Sequence, residues 1–292
     1  MTEIIVDAII DSLKLFPFLF LIYAVIEVLE HNTSLGKKGG VLQGNFAPVL
    51  GALTGIIPQC GFSVMSAKLY DRRMIRTGTI LSVFIATSDE AIIVLLSDGS
   101  KALSVLPLIV LKFALAVAVG YAANGFLKSD VPQSEESEPI GCCEECESCA
   151  HTGSGFAERY VFTPLYHALK IFFFILAVNV VFGFLIYFAG EDKISAFLER
   201  GYAFQPFLTA LIGLIPNCAS SVILTQTFIL GGISFGGLFA GLCSNAGLGL
   251  VILFKNTKNF KRNCALVFTL YAIGAAAGSI IDLVCRLAGI GM

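Results

Sequence analysis

Two sextets in this sequence, GIIPQC at 55–60 and GLIPNC at 213–218, each place an amide and a cysteine directly after a proline in an otherwise apolar stretch. A third group, Thr87-Ser88-Asp89-Glu90, and a fourth, Cys243-Ser244-Asn245, interrupt two further apolar runs. Carboxylate and amide oxygens suit hard cations, whereas thiolates suit zinc, Cu(I) and arsenic-like soft centres. Gln59, Cys60 and Ser63 with Asn217, Cys218 and Ser221, joined by Cys243 and by Asp89 or Glu90, therefore read as a mixed site for a divalent transition metal or a thiophilic metalloid. A lone cysteine in an apolar segment is more often a small buried filler, and Cys264 and Cys285 take that reading. Cys60 and Cys218 differ, because both stand at the same step after proline in two similar stretches.

A separate set lies in the polar segment 128–158. Its stretch 129–155, SDVPQSEESEPIGCCEECESCAHTGSG, holds seven acids and no Lys or Arg, a composition that cannot build a core. Cys142, Cys143, Cys146 and Cys149 include two overlapping C-x-x-C spacings, with His151 just beyond. Two such motifs paired across a fold signal zinc. Compressed here, they read as a soft-metal catcher or sensor. Nine cysteines, an odd number with several at membrane depth, argue against a disulfide framework.

The elements that must position these groups are membrane spans. Of 292 residues 56% are hydrophobic and 14% charged, against about 25% charged in soluble domains. Apolar runs recur at 13–29, 77–96 (broken by the TSDE group), 103–126 and 168–189, and about 20 apolar residues cross the hydrocarbon core. The chain reads as an all-α integral membrane protein. A net charge of −2 gives no sign of a nucleic-acid partner. The acidic start (Glu3, Asp7, Asp11) lacks the basic region of a cleavable signal peptide, so the first span is expected to stay. Ionisable groups at the bilayer centre cost roughly 2.5–3.5 kcal/mol each on insertion scales, so Asp89 and Glu90 read as functional. The bland alternative is an inward pair neutralised by Lys112, the base deep in the span 103–126. Glu27, Glu30 and His31, at helical spacing near the end of the first span, could pass metal onward or simply mark the interface.

The chain repeats itself. Residues 48–64 match 206–222 at ten of 17 positions, and LKLFPFLFLIYAVIEVL from Leu13 resembles LKIFFFILAVNVVFGFL from Leu169. ATSDEA (86–91) is set opposite LCSNAG (242–247), which pairs Asp89 with Asn245. Short cytoplasmic loops collect Lys and Arg. In the first copy the bases come after the Pro-Gln-Cys segment (Lys68, Arg72, Arg73, Arg76), whereas in the second they come one loop later (Lys255, Lys258, Lys261, Arg262). That flip implies two inverted-topology repeats, 1–127 and 159–292, joined by a cytoplasmic linker, 128–158. Inversion needs an odd number of crossings per half. Each Pro-x-Cys segment must therefore enter and return, as a re-entrant hairpin or as two short spans, with its turn at 58–61 and 216–219. Each half then has three full spans plus a hairpin, about ten segments in all. The N-terminus and 97–102 are expected outside, and 70–76 and 255–263 inside.

The run DSLKLFPFLFLIYAVIEVLEH, the paired IP-x-C tips, the TSDEA helix and the Cys-rich central loop resemble the ten-transmembrane heavy-metal exporter family, whose bacterial members are labelled arsenic efflux proteins or manganese transporters. The resemblance covers essentially the whole chain. It implies a transporter rather than an enzyme, in a bacterial inner membrane, with a metal or metalloid ion as cargo and no permanently bound cofactor. Lipid is the other expected partner, and a homodimer is left open. No P-loop appears, so coupling to protons or membrane potential is expected. Two other classes remain: a thiol–disulfide electron conduit using Cys60 and Cys218, and an organic-anion or amino-acid carrier, against which the paired acids argue.

Overall fold

A computed structural model describes residues 46–57, 60–71, 73–88, 91–97, 101–126, 204–255 and 260–287, with Gly44 and scattered positions between 169 and 180. The first span 13–29, most of 168–189, the linker with Cys142, Cys143, Cys146, Cys149 and His151, and Glu27, Glu30, His31, Gln59, Asp89 and Glu90 lie outside the described residues. Every element among the described residues is helical. The first group is α1 (Ala47–Gly55), α2 (Cys60–Asp71), α3 (Thr77–Ala86), α4 (Ala91–Ser97), a short 3-10 turn (Ala102–Ser104) and α5 (Val105–Phe126). The second is α6 (Gln205–Gly213), α7 (Cys218–Ile229), α8 (Phe235–Ser244), α9 (Leu248–Lys255) and α10 (Phe260–Leu287).

A shift of 158 residues carries the first group onto the second. α1, α2 and α3 begin at 47, 60 and 77, and α6, α7 and α8 at 205, 218 and 235. Pro48 and Pro206 occupy the first turns of α1 and α6, where a missing N–H costs nothing and the fixed φ favours a helix start. The packing obeys the same shift: α3 lies against α1 and α5, and α8 against α6 and α10. Glycines set how close these helices come. A Cβ on Gly55 would lie 2.6 Å from Val83 O, and one on Gly213 2.1 Å from Gly241 O. A Cβ on Gly78 would meet Gly120 O at 2.2 Å, and one on Gly236 would meet Gly278 O at 2.3 Å. All four contacts are related by the 158-residue shift. The two groups then interlock, with α2 packed on α9, α7 on α4, and α3 meeting α8.

Two expectations need correction. The second Pro-x-Cys turn occupies 214–217 rather than 216–219, and Cys218 already opens α7. The reason is local: Asn217 Oδ1 accepts from Ala219 N–H at 3.1 Å and so starts the helix at the cysteine. The pairing of Asp89 with Asn245 also fails. α3 ends at Ala86 and α8 at Ser244, so Thr87 corresponds to Asn245, and position 89 to Gly247. The alignment by similar letters required a two-residue slip that the helix packing does not contain.

Four apolar stretches among the described residues are long enough to cross a membrane: Thr77–Ser97, Ala102–Gly125, Phe235–Lys255 and Phe260–Leu287. They differ in surroundings. Burial covers 81% and 89% of the first and third, which are the broken α3–α4 and α8–α9 spans, but 22% and 28% of the α5 and α10 spans. The broken helices form the interior and the unbroken ones present apolar faces outward.

Gly213→Ala is expected to be destabilising, since overpacking a tight contact costs about 1–3 kcal/mol. Gly125→Ala is its control, because nothing lies within 4 Å of a Cβ there and alanine favours a helix over glycine by roughly 0.5–1 kcal/mol. Thermal melting of the purified protein should fall for the first variant and hold or rise for the second.

Candidate functional site

The interior helices are both interrupted, and at the same place. α3 stops when Thr87 turns to ψ 130°; Thr87 N–H and Oγ1 both still donate to Val83 O, at 2.9 and 2.8 Å. Ser88 Oγ donates to Ala86 O at 3.3 Å, and Ala91 N–H reaches back to Ser88 O at 3.1 Å as α4 starts. In the second group Asn245 leaves the helix with ψ 97°, and its Oδ1 accepts from Gly247 N–H at 2.9 Å. Gly247 sits at φ 53°, a left-handed conformation that glycine adopts without a Cβ penalty. α9 then restarts through Gly249 N–H to Ala246 O at 3.2 Å.

Both breaks are buried. Thr87, Ser88 and Asn245 are 2%, 4% and 3% exposed, and Cys243 and Ser244 are fully covered. Between them lies Lys112, also fully buried, contributed by α5. Its Nζ donates to Thr87 O at the end of α3 and, at 2.9 Å, to Leu242 O near the end of α8. One ammonium thus joins carbonyls from the two breaks, on opposite halves of the chain. Lys112 was expected as counter-charge to Asp89 and Glu90, which lie outside the described residues; among the described residues its Nζ donates to these two carbonyls.

Of the other expected site residues, Ser63 and Ser221 are fully buried on α2 and α7. Ser63 packs by its carbonyl against the second group's restarted helix, 2.9 Å from where a Gly249 Cβ would stand. Ser221 Oγ donates to Cys218 O at 2.7 Å, and Ser220 Oγ to Asn217 O at 2.7 Å. These hydroxyls spend their protons on the chain and keep oxygen lone pairs for another partner. Cys218 is half-buried and Cys243 buried, and neither thiol is in a disulfide among the described residues. Ser244 Oγ is buried without a hydrogen-bond partner among the described residues and faces Gly274 of α10, 2.5 Å from a would-be Cβ. Among the described residues no three of His, Cys, Asp and Glu come together as a metal cluster.

Several supporting residues escaped sequence reasoning. Asn124 Oδ1 accepts from Gly78 N–H at 3.0 Å, and Asp282, its equivalent under the shift, accepts from Gly236 N–H at 2.9 Å and Ser234 Oγ at 2.7 Å. Each tethers the start of a broken helix to the last helix of its own group. Buried Gln205 accepts from Ser234 N–H at 3.0 Å and donates to Gly232 O at 2.9 Å, fixing the loop before α8. Extending the 158-residue comparison into the last spans would have paired Asn124 with Asp282. Two cation–π contacts also obey the shift in their aromatic partners: Lys101 Nζ lies 5.1 Å from the Phe228 ring centroid, and Arg262 Cζ 4.4 Å from that of Tyr70.

A family model described as "Putative, 10TM heavy-metal exporter" matches residues 1–188, which span the first group and the linker. No curated protein and no solved structure matches.

Lys112→Met keeps the length of the side chain and removes its donors. Each buried carbonyl left unpaired costs roughly 1–3 kcal/mol, so the melting temperature should drop by several degrees. An unchanged melting curve would show that the two breaks hold together without it.

Proposed function

Because the chain belongs to the ten-transmembrane heavy-metal exporter family, we propose that it exports a divalent transition metal of the Mn or Zn kind, or arsenite, by alternating access across a bacterial inner membrane. The observation that carries this reading is the buried Lys112 bridge between the ends of α3 and α8. Non-helical backbone at membrane depth is tolerated where it is enclosed by protein or lines a cavity, and broken helices are where transporters hold ions. In this reading Asp89 and Glu90 supply the charge that draws the cation in. Their sequence neighbours Ser88 and Ala91 are buried at 4% and 0% exposure, which supports an interior position. Thr87, Ser88, Ser244 and Asn245 offer oxygens from both breaks, and Gln59, Cys60, Ser63, Asn217, Cys218, Ser221 and Cys243 the amides, hydroxyls and thiols.

The two groups are proposed as inverted repeats. The cation–π contacts support this. Tyr70 and Arg262 bring the end of α2 to the start of α10, while Lys101 and Phe228 bring the start of α5 to the end of α7. The α3–α4 span then runs from the Tyr70 end to the Lys101 end, and the α8–α9 span runs the other way. α1 with 9 residues and α2 with 12 reach about 14 and 18 Å at 1.5 Å per residue, short of the ~30 Å hydrocarbon core. That favours a re-entrant hairpin. Coupling to protons or membrane potential is inferred from the absence of a P-loop in the sequence.

Asp89→Asn preserves size and hydrogen-bonding capacity but removes a charge that offsets a divalent cation where screening is weak. It is expected to abolish efflux from vesicles while the protein still folds. Cys60→Ser and Cys218→Ser should weaken transport of zinc or arsenite more than of Mn. Normal transport by Asp89→Asn with loss in either serine variant would contradict the metal-carrier reading and favour a thiol–disulfide conduit. In the linker, replacing Cys142, Cys143, Cys146 and Cys149 by serine should lower transport efficiency without ending it; complete loss would move the essential site into the linker.

A further inference from the structure

The end of the bundle that carries Arg262 gathers bases from both groups. The Arg262 guanidinium covers the ring of Tyr70, whose hydroxyl lies 3.2 Å from Thr77 Oγ1 at the start of α3, next to Arg76. Asn263 Nδ2 donates to Leu253 O at 2.6 Å, which brings the end of α9, with Lys255, and the start of α10, with Lys261, to the same place. Lys68 and Arg73 belong to the end of α2 and the turn after it. Against these bases the acids among all described residues are Asp71, at the same end, and Asp282, which is spent on α8. Three buried guanidinium nitrogens have no acceptor among the described residues: Arg262 Nε, Arg262 Nη2 and Arg76 Nε. A buried charged donor without an acceptor is strongly unfavourable, and groups of this kind are normally satisfied.

The place where α5 stops identifies a source of acceptors. Asn124 Oδ1 accepts from Gly78 N–H at 3.0 Å, so α5 ends beside the start of α3 and hence beside Arg76. Three residues further on begins the segment 129–155, with seven acids and no Lys or Arg. Its first acidic cluster, Glu135, Glu136 and Glu138, begins nine residues after Phe126, a reach of up to about 30 Å for extended chain.

We propose that the acidic, cysteine-rich segment 129–155 docks by its carboxylates on this basic end, with Glu side chains accepting from the unpaired nitrogens of Arg76 and Arg262. Guanidinium–carboxylate pairs are short, charge-assisted and bidentate, which makes arginine the right donor for such a clasp. Docking holds Cys142, Cys143, Cys146 and Cys149 against one mouth of the bundle. If the chain carries metal, that is where a thiol-bound ion is best released; this consequence rests on the transport reading, whereas the docking does not.

The test uses the full chain, metal-free, in nanodiscs of phosphatidylcholine alone, with mass spectrometry following maleimide alkylation of the four linker thiols. In the unmodified protein the rate should be slow at low salt and several-fold faster at 1 M salt, where the Debye length falls to about 3 Å. Combined Arg76→Gln and Arg262→Gln should give the fast rate at low salt. Glu135→Gln, Glu136→Gln and Glu138→Gln together should do the same without altering any bundle residue, which separates docking from a folding defect. Equal rates in all proteins at both salts would overturn the proposal. So would linker rates indifferent to charge combined with a melting temperature that phosphatidylglycerol raises only while Arg76 and Arg262 are present, because the basic end would then belong to lipid phosphates.

Discussion

Interrupting a helix inside an apolar bundle exposes carbonyls that nothing apolar can satisfy, and here one lysine answers for both interruptions. Lys112 stands on α5, among the helices with the least burial, yet its own side chain is fully covered and donates to Thr87 O and Leu242 O. Removing an ammonium from water is costly unless its donors are engaged and charge lies near. That cost is accepted at the point where the two halves of the molecule meet, and the choice ties each break to the other.

Around this junction the two groups are built alike but not identically. Small residues let α1 and α6 seat against the backbones of α3 and α8, with glycine Cα atoms facing the carbonyls of Val83 and Gly241. Such contacts leave no room for slippage, so each broken helix is held as a unit with the helix seated on its glycines, α1 or α6, and with the last helix of its group. The starts of the broken helices are tethered differently. Asn124 offers a neutral oxygen to Gly78, whereas Asp282 offers a carboxylate to Gly236 and Ser234. A carboxylate suits a helix N-terminus better than an amide, because the dipole there is positive. The start of α8 is the more firmly anchored of the two.

Much of this was legible in the sequence, for reasons that can be traced to particular residues. The Pro-x-Cys-x-x-Ser-Val signature revealed the repeat because proline, cysteine and serine are conspicuous among Leu and Phe, and the TSDE and CSN groups marked the breaks because polar residues there cannot continue an apolar face. The register at the breaks was not legible. Matching Ser244 to Ser88 looked natural by residue type, but Thr87 and Asn245 are equivalent because each ends its helix, through N–H bonds to Val83 O and Gly241 O. Turn placement at 214–217 depended on the side-chain cap at Asn217, a choice that proline alone does not dictate. Lys112 was visible as a buried base, but carbonyl partners supplied by backbone leave no trace in the letters. The Asn124 and Asp282 tethers hid for the same reason, since what they hold is a glycine N–H.

The central proposal is that the paired breaks form one site for a metal or metalloid, pinned by Lys112. Its most direct test is anomalous diffraction at the metal edge from crystals of the intact chain equilibrated with Zn²⁺ or arsenite. The expected result is a peak between residues 87–90 and 243–247, lost in Asp89→Asn and independent of the linker cysteines. Metal bound in the linker with none at the breaks, in a protein shown to transport that ion, would contradict it.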